Sequence, residues 1–354
     1  MKRSRLSVFL TLSFALLFAL SALAGCGGSK PASTDPTAKT DEAKPAQETK
    51  KEKPSYTLRL AENQAADYPT TIGDLDFAKR VSQKTNGRIK IDVYHGAQLG
   101  DEKTVIEQIQ LGAIDFARVN VQPLGEFSKK IGVLNLPYLF DSEEHLWKVL
   151  NGPIGQEILD SLSGAKMVGL TFYDSGSRSF YNSKREAKVP ADLKGLKIRV
   201  QQSSLMVDLV NSLGASATPM AYGEVYNGLK SGVIDGAENN WPSYFSTSHY
   251  EVAKFITLDH HTRSPEVIIA SKALWDKLDA EDRQIILEAA KASTETQRKS
   301  WKDYEQKSID KVKAAGNTIT EVTDLKAWQD AVAPLYDTHG AAFKDLIAKI
   351  KAAK

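Results

Sequence analysis

Residues 196–244 read LKIRVQQSSLMVDLVNSLGASATPMAYGEVYNGLKSGVIDGAENNWPSY, and their pattern decides the fold. A strand-like run carries Arg199, an amphipathic helix follows, and a second helix starts near Tyr222. Residues 233–235 (Val-Ile-Asp) then predict a buried strand that opens on a Glu-Asn-Asn-Trp sequence. Strands and helices that alternate with short turns indicate an α/β unit whose ligand loops lie at the strand ends. We therefore expect Arg199 and Asn239 to face one cleft.

The same alternation is found upstream, from residue 56 to residue 120. Residues 107–116 share one layout with residues 226–236, namely a helix end, a glycine turn, a short apolar strand and an aspartate, and asparagines follow both. Two similar units would deliver these asparagines to the two walls of a cleft; alternatively, Gly-x-Ile-Asp is only common punctuation between helices and strands. Downstream, residues 279–315 predict one long helix that ends at a Gly-Asn stop signal.

Composition limits the possible functions. The 354 residues are 42% hydrophobic and 25% charged, as in an ordinary soluble protein, and the length suggests two domains. A net charge of +2 without a basic stripe gives no support for nucleic-acid binding. No nucleophile elbow, phosphate loop or dinucleotide fingerprint occurs, and no cofactor is implied. Of the six histidines only His260 and His261 are close in sequence, and neighbours on a strand point to opposite faces, so no metal site is predicted.

The first 55 residues are expected to lie outside the folded domain. Residues 1–25 combine a basic start with an apolar run too short for a comfortable membrane span, which predicts a signal peptide. Leu-Ala-Gly-Cys26 resembles a bacterial lipobox, so Cys26 is the predicted lipid attachment site; the alternative is an ordinary signal peptide. Residues 26–55 have almost no aliphatic side chains, which predicts a flexible tether. The mature protein would then be extracytoplasmic and lipid-anchored to the cell membrane.

Six segments of the chain, three of which overlap residues 196–244, carry a resemblance to a known family. In chain order they are QLGDE (98–102), GAIDF (112–116), LPYLF (136–140), DLKGLKIRV (192–200), TPMAYGEVY (218–226) and VIDGAEN (233–239). Together they resemble the solute-binding subunits of TRAP (tripartite ATP-independent periplasmic) transporters, and the resemblance extends over residues 56–354. It implies a two-lobed, periplasmic-binding-protein-like α/β fold with hinge strands and a long bracing helix. Lobe 1 would span about 56–175 with a return segment at 260–290, and lobe 2 about 176–260 with the C-terminal helices.

The resemblance also implies which residues bind the ligand. The family's carboxylate-binding arginine matches Arg199, and its second arginine matches Arg178. On the opposite lobe, the end of the first strand matches Asn63 and the acid of the QLGDE motif matches Glu102. The other predicted ligand residues are Asn120, Tyr222, Asn239, Asn240 and Trp241, with Gln201 as a further hydroxyl partner. From the residues alone, the alternatives are a surface strand arginine at position 199 and packing roles for Tyr222 and Trp241.

The predicted ligand is a hexuronate such as glucuronate or galacturonate, closest to the uronate-type members of the family. An arginine fork matches a carboxylate, whereas asparagine and glutamate side chains suit hydroxyl groups. Glu102 would repel a second carboxylate, and a C4-dicarboxylate or other small organic acid is the alternative. Asn120 stands where sialate-type members carry a glutamate, which disfavours sialate. Such a receptor delivers its solute to the TRAP permease subunits and is not an enzyme; the alternative from another class is a lipid-anchored hydrolase of acidic sugars.

Overall fold

The structure, a computed structural model, describes residues 53–353. The predicted signal peptide, Cys26 and the tether up to residue 52 lie outside the described residues. The strands are β1 (Tyr56–Ala61), β2 (Ile89–Tyr94), β3 (Phe116–Asn120), β4 (Met167–Tyr173), β5 (Arg178–Asn182), β6 (Lys197–Val200), β7 (Ser216–Pro219), β8 (Gly236–Asn239), β9 (Phe255–Thr262), β10 (Glu266–Ser271) and β11 (Thr318–Glu321).

Helices connect and cover these strands. They are α1 (Pro69–Lys84), α2 (Glu102–Leu111), α3 (Val121–Phe127), α4 (Lys129–Gly132), α5 (Glu143–Leu150), α6 (Pro153–Asp160), α7 (Ser204–Ser212), α8 (Val225–Ser231), α9 (Trp241–Ser246), α10 (His249–Val252), α11 (Lys272–Trp275), α12 (Ala280–Ala314), α13 (Leu325–Val332), α14 (Leu335–Thr338) and α15 (Lys344–Ala352). Short 3₁₀ turns lie at Val133–Asn135, Ser161–Ala165, Pro190–Leu193, Tyr222–Glu224 and Ala341–Phe343.

Two sheets define two lobes. The sheet of lobe 1 has the order β2-β1-β3-β10-β4, in which β1 is parallel to β2 and β3, and β10 is antiparallel to β3 and β4. The sheet of lobe 2 has the order β11-β9-β5-β8-β6-β7, with β6 parallel to β7 and β8. Because the parallel strands β1, β3, β6 and β8 are followed by loops or helices at one edge of each sheet, these edges are where side chains from both lobes can meet.

The chain crosses between the two sheets more than once. Residues 174–177 join β4 of lobe 1 to β5 of lobe 2, and residues 263–265 join β9 of lobe 2 back to β10 of lobe 1. The helix α12 packs Ile286 into the core of lobe 1 and Val312 into the core of lobe 2. The predicted two-lobed α/β fold with a long bracing helix is therefore confirmed.

Gln297, near the middle of α12, holds one of the crossing segments. Its Oε1 accepts a hydrogen bond from the backbone N–H of Asp174 at 2.8 Å, and its Nε2 donates to the carbonyl of Asp174 at 2.9 Å. Gln297 is fully buried. The bracing helix is thus fixed to the crossing backbone by a paired hydrogen bond that satisfies both partners.

A single hydrophobic core also passes from one lobe to the other. It joins Val119 and Val267 of the first sheet to Ile198 and Val200 of the second, and all four side chains are fully buried. The helices after β11 close this core, with Trp328 buried completely. The lobes therefore share apolar packing as well as covalent connections.

Local signals account for the helix ends, with one prediction wrong. Asp279 caps α12 by accepting from the N–H of Asp282 at 2.8 Å, so the long helix begins where the sequence predicts. Residues 233–235, predicted as a strand, instead form the turn after α8, and the strand begins at Gly236. Gly232 ends α8 at φ 75°, and only Ile234 of the next three residues is fully buried. The buried side chain of Ile234 in this turn therefore gave the same apolar signal in the sequence as a short strand.

Gly73 lies where α1 crosses α12, and a side chain there has no room. A Cβ atom would lie 2.8 Å from the Cβ of Gln297 and 2.8 Å from the ring of Tyr173. We predict that Gly73→Ala lowers the free energy of unfolding by about 1–3 kcal/mol, the usual cost of overpacking a core, in urea denaturation. Gly164→Ala is the matched control, since no atom lies within 4 Å of its added Cβ. Equal stability of the two variants would contradict this account of the helix crossing.

Candidate ligand-binding site

A cavity of about 320 Å³ lies between the two lobes, which is a size that suits a small molecule. Lobe 1 contributes Asn63, from the loop after β1, and Glu102, the first residue of α2. Lobe 2 contributes Arg199 of β6, Tyr222 after β7 and His249 of α10. The cavity thus brings together five of the predicted ligand residues, since Gln201 also lines it, and His249 is a further lining residue that was not predicted.

Arg199 is the cation of this cavity. It is 2% exposed, and its Nε and Nη2 donate to the carbonyl oxygen of Met220 at 2.9 and 2.7 Å. The pairing of β6 with β7 fixes this contact, because Arg199 lies opposite Thr218, two residues before Met220. Among residues 53–353 no carboxylate lies within 4.0 Å of the guanidinium, and burial lowers the pKa of Arg199. A desolvated cation without a counter-ion favours an anion in the cavity.

Glu102 lines the cavity from lobe 1, opposite the lobe that carries Arg199. Its Oε1 accepts from the N–H of Asn120 at 2.8 Å and from Arg118 Nη1 at 3.2 Å, and its Oε2 accepts from Gln201 Nε2 at 3.3 Å. The last contact crosses between the lobes. Burial raises the pKa of Glu102 to about 7, against the opposing attraction of Arg118. This carboxylate therefore changes charge near neutral pH.

Arg118 explains why Glu102 is only partly compensated. The guanidinium is buried and is shared among Glu62, Glu102 and Glu266, and it also donates to Asn63. Glu62 is the favoured partner: burial alone would raise its pKa, but the charge and hydrogen bonds of Arg118 lower it. One cation with three carboxylates leaves the lobe 1 wall short of positive charge.

His249 sits beneath the lobe 2 wall and is 1% exposed. Its Nδ1 lies 2.8 Å from the hydroxyl of Tyr181, which is itself buried. Burial, followed by the charge of Arg199, lowers the pKa of His249 to about 3, so the imidazole is neutral at physiological pH. His249 was not predicted because it is a single histidine, far from the other motifs and without metal-ligand spacing to a second one. Such a residue gives no signal in the sequence.

Arg178 and Asn239 lie near the cavity wall but are engaged with other protein groups. Arg178 donates to Glu238 Oε1 and to Asn239 Oδ1, both at 2.8 Å. Glu238 also contacts His261 at 3.3 Å, and although burial opposes it, these cations lower the pKa of Glu238 to about 2. The charge of Arg178 is therefore balanced inside the protein. Neither Arg178 nor Asn239 lines the cavity in this arrangement, and their ligand roles stay predictions.

Asn120, Asn240 and Trp241 have structural contacts here. Asn120 caps α3 by accepting from the N–H of Gln122 at 2.9 Å, and Asn240 caps α9 by accepting from the N–H of Ser243 at 2.8 Å. Trp241 packs in the core of lobe 2. The three residues do not line the cavity, so their binding roles also remain predictions. An asparagine that follows a strand serves a helix cap as well as a ligand, and the two uses look alike in a sequence.

A two-lobed α/β fold with a cavity of small-molecule size between its lobes defines a binding protein for a small solute. Residues 60–342 match the family described as bacterial extracellular solute-binding protein, family 7 (DctP). The chain belongs to this family of extracytoplasmic receptors, which bind solutes for TRAP transporters and work with membrane permease subunits. The family consists of solute-binding receptors rather than enzymes.

Similar proteins agree with this assignment. A solute-binding protein of Chromohalobacter salexigens is 44% identical over 270 residues, which cover 76% of this chain and 80% of the relative. A TRAP periplasmic solute-binding protein of Xanthobacter autotrophicus, solved with bound β-D-galacturonate, is 45% identical with a TM-score of 0.82, covering 84% of this chain and 100% of that one. Another from Chromohalobacter salexigens, solved with bound D-glucuronate, is 41% identical with a TM-score of 0.82 and the same coverage.

No group of three or more His, Cys, Asp or Glu side chains within residues 53–353 is arranged to hold a metal ion. In the same part of the chain, no helix combines the length and apolar character needed to cross a membrane.

The raised pKa of Glu102 predicts a pH-dependent stability. The folded protein holds a proton on Glu102 up to about pH 7, whereas the ordinary value is 4.5, so this stabilisation is present below pH 4.5 and is lost as the pH rises through about 7. Between about pH 5 and about pH 8, the unliganded protein should lose roughly 2 kcal/mol more stability than Glu102→Gln. Thermal unfolding of both proteins at the two pH values measures this difference.

Glu107→Gln provides the control for the pH experiment. Glu107 lies on the exposed face of α2, so this variant removes one carboxylate from the same helix without touching the cavity. It should follow the pH dependence of the wild type. The account of Glu102 fails if Glu102→Gln also retains the full wild-type dependence.

Proposed function

We propose that the protein binds a hexuronate, D-glucuronate or D-galacturonate, with the sugar carboxylate against Arg199. One observation carries the proposal: a buried guanidinium without a carboxylate partner among the described residues lines a cavity of small-molecule size. A carboxylate would supply the missing counter-charge through charge-assisted hydrogen bonds. The bound galacturonate and glucuronate of two similar proteins support the choice of ligand. The protein would deliver this sugar acid to the membrane permease subunits.

The opposite wall supports a hydroxylated ligand. Asn63 and Glu102 offer amide and carboxylate oxygens that accept hydrogen bonds from hydroxyl groups. The ring of Tyr222 also lines the cavity and would cover one face of a sugar. A ligand oriented by Arg199 would thus present some of its hydroxyl groups to lobe 1.

Arg178 and Asn239 enter this proposal as residues that would change partners. Arg178 is predicted to bind the carboxylate and Asn239 a hydroxyl group, yet the two residues bind each other at 2.8 Å. Contact with a ligand would require Arg178 to exchange its bond to Asn239 while keeping its pair with Glu238. In this proposal Arg199 makes the principal contact and Arg178 a secondary one.

A C4-dicarboxylate fits the same wall less well. Its second carboxylate would approach Glu102, and two carboxylates in a buried site repel unless one is protonated. Since the pKa of Glu102 is raised to about 7, this repulsion grows as the pH rises above neutrality. Dicarboxylates should therefore bind more weakly than hexuronates at alkaline pH.

Ligand titration tests the proposed function. In a thermal-shift screen, D-glucuronate or D-galacturonate at about 100 times its dissociation constant should stabilise the protein by about 2.7 kcal/mol, whereas succinate should stabilise it less. Arg199→Lys keeps the charge but loses the planar fork, so we predict that hexuronate binding weakens by about 1.5–3 kcal/mol in isothermal titration. A nitrophenyl glucuronide should show no turnover, as expected for a receptor.

Arg80→Lys is the control for the arginine variant. Arg80 lies on the outer surface of α1 and pairs with Asp76 four residues away, so its replacement should leave affinity unchanged. Unaltered affinity in Arg199→Lys would remove Arg199 from the site. Failure of both hexuronates to bind, with tight binding of succinate, would replace the uronate proposal with the dicarboxylate alternative.

We further propose that Cys26 carries a lipid that anchors the protein to the cell membrane. The Leu-Ala-Gly-Cys sequence supports this, and Cys26 is the only cysteine in the chain. At the far end of the predicted tether, Lys53 forms ion pairs with Asp279 at 2.9 Å and Glu281 at 2.7 Å. Lys53, the first described residue, therefore lies beside the first turn of α12.

Membrane fractionation tests the anchor. Wild-type protein expressed in a bacterium that processes lipoproteins should be found in the membrane fraction and should incorporate labelled palmitate. Cys26→Ser should abolish labelling and release the protein, because a covalent acyl chain supplies the membrane affinity. Ser29→Ala, three residues away, should behave as the wild type. Equal labelling of Cys26→Ser and wild type would reject lipidation at Cys26.

A further inference from the structure

Two buried polar atoms of the cavity lining have no hydrogen-bond partner among the described residues. The hydroxyl oxygen of Tyr222 and the Oε1 of Gln201 are buried and unpaired. The imidazole of His249 also lines the cavity, and its Nδ1 is hydrogen-bonded to the hydroxyl of Tyr181. Buried polar atoms are rarely left unpaired, because each costs about 1–3 kcal/mol. Two such atoms in one cavity, next to the ring of His249, indicate a ligand that satisfies them.

The chemistry of these atoms specifies the ligand groups. Gln201 donates through Nε2 to Glu102, so its Oε1 remains as an acceptor that only a donor can satisfy. A carboxylate has no hydrogen to donate, whereas a hydroxyl group does. The neutral His249 offers either a donor or an acceptor at Nε2, depending on its tautomer, and a hydroxyl group pairs with both.

The position of His249 is fixed by its neighbours. Tyr181, its partner on β5, is 1% exposed and packs against Tyr244 with ring centroids 4.5 Å apart. The ring of Tyr222 lies edge-on to His249 at 6.4 Å between centroids. Side chains held by such packing keep their polar atoms directed at one place, which is what selective recognition requires.

We propose that Gln201 and His249, together with Tyr222, form the surface that recognises the hydroxyl groups of the sugar acid, with Tyr181 as a positioning residue for His249. This assignment rests on the proposed function, since Arg199 would hold the carboxylate of the same ligand. It makes Gln201 and His249 specificity-determining residues: they distinguish a hydroxylated acid from an acid without hydroxyl groups.

A comparison of two probes tests the assignment. D-Glucuronate and cyclohexanecarboxylate both present a six-membered ring and a carboxylate, but only the first has hydroxyl groups. Gln201→Met should weaken D-glucuronate binding by roughly 5- to 20-fold in isothermal titration, the effect of one lost hydrogen bond, and should leave cyclohexanecarboxylate binding within about twofold. His249→Phe should show the same selective loss. Tyr181→Phe should show a smaller loss, selective in the same direction, because His249 then loses its support.

Two controls separate recognition from folding. Gln110→Met changes a half-buried glutamine whose Nε2 donates to Ala165 at 3.0 Å, outside the cavity lining, and should bind both probes as the wild type does. Thermal unfolding of each unliganded variant reports its fold. Because Gln201 lies at the cavity wall and replacement by methionine removes an unpaired acceptor, this variant should fold even if His249→Phe does not.

Each outcome decides between the two proposals. Equal weakening of both probes in folded variants, or unchanged D-glucuronate affinity, overturns the hydroxyl surface but leaves hexuronate binding intact. Absence of hexuronate binding by the wild type overturns the proposed function and this assignment together. If the wild type binds D-glucuronate but not cyclohexanecarboxylate, and Gln201→Met still weakens the sugar, the hydroxyl surface is supported, since the ring and carboxylate alone are then insufficient.

Discussion

The unpaired charge of Arg199 is the constraint on which the cavity depends. Desolvation of a guanidinium is costly, and most buried arginines recover that cost from a carboxylate. In this protein the adjacent carbonyl of Met220 compensates only in part, at 2.9 and 2.7 Å. Arg178 lies on β5, which is separated from β6 and Arg199 by the single strand β8. It shows the alternative solution, because the carboxylate of Glu238 neutralises its charge. The two arginines thus differ in their partners: Arg178 is paired with a carboxylate inside the fold, whereas Arg199 has none among the described residues.

The two walls of the cavity carry opposite uncompensated charges, negative on lobe 1 and positive on lobe 2. Lobe 1 offers the cavity a carboxylate that competes with Glu62 and Glu266 for Arg118, whereas lobe 2 offers a cation without a carboxylate. A ligand with a carboxylate at one end and hydroxyl donors at the other matches both walls in one orientation only. The direct contact between Glu102 and Gln201 at 3.3 Å shows how closely the walls approach across the cavity. In the proposed binding mode, charge would set the orientation of the ligand, and hydrogen-bonding groups would determine which ligand is accepted.

Much of this arrangement could be predicted from the sequence, for identifiable reasons. Alternating strands and helices, and the Asp279 cap, predict the α/β fold and the long helix, because these signals are local. The family motifs select Arg199, Asn63, Glu102 and Tyr222, which do line the cavity. Asn120 and Asn240 were ambiguous, since a helix cap and a ligand contact use the same residue at the same place after a strand. His249 gave no signal because its importance comes from Tyr181, 68 residues earlier, and from a cavity that exists only in three dimensions.

The shared core has a consequence for how the molecule responds to heat or denaturant. Apolar packing runs without interruption from Val119 to Ile198, and α12 is anchored in both lobes through Ile286 and Val312. Neither sheet can lose its packing without exposing part of the other, so the two lobes are coupled into one cooperative unit. A ligand contacts only a few side chains of the cavity. Its binding should nevertheless raise the unfolding temperature of the entire folded domain. The receptor would also resist proteolysis as a whole, rather than lobe by lobe, once its solute is bound.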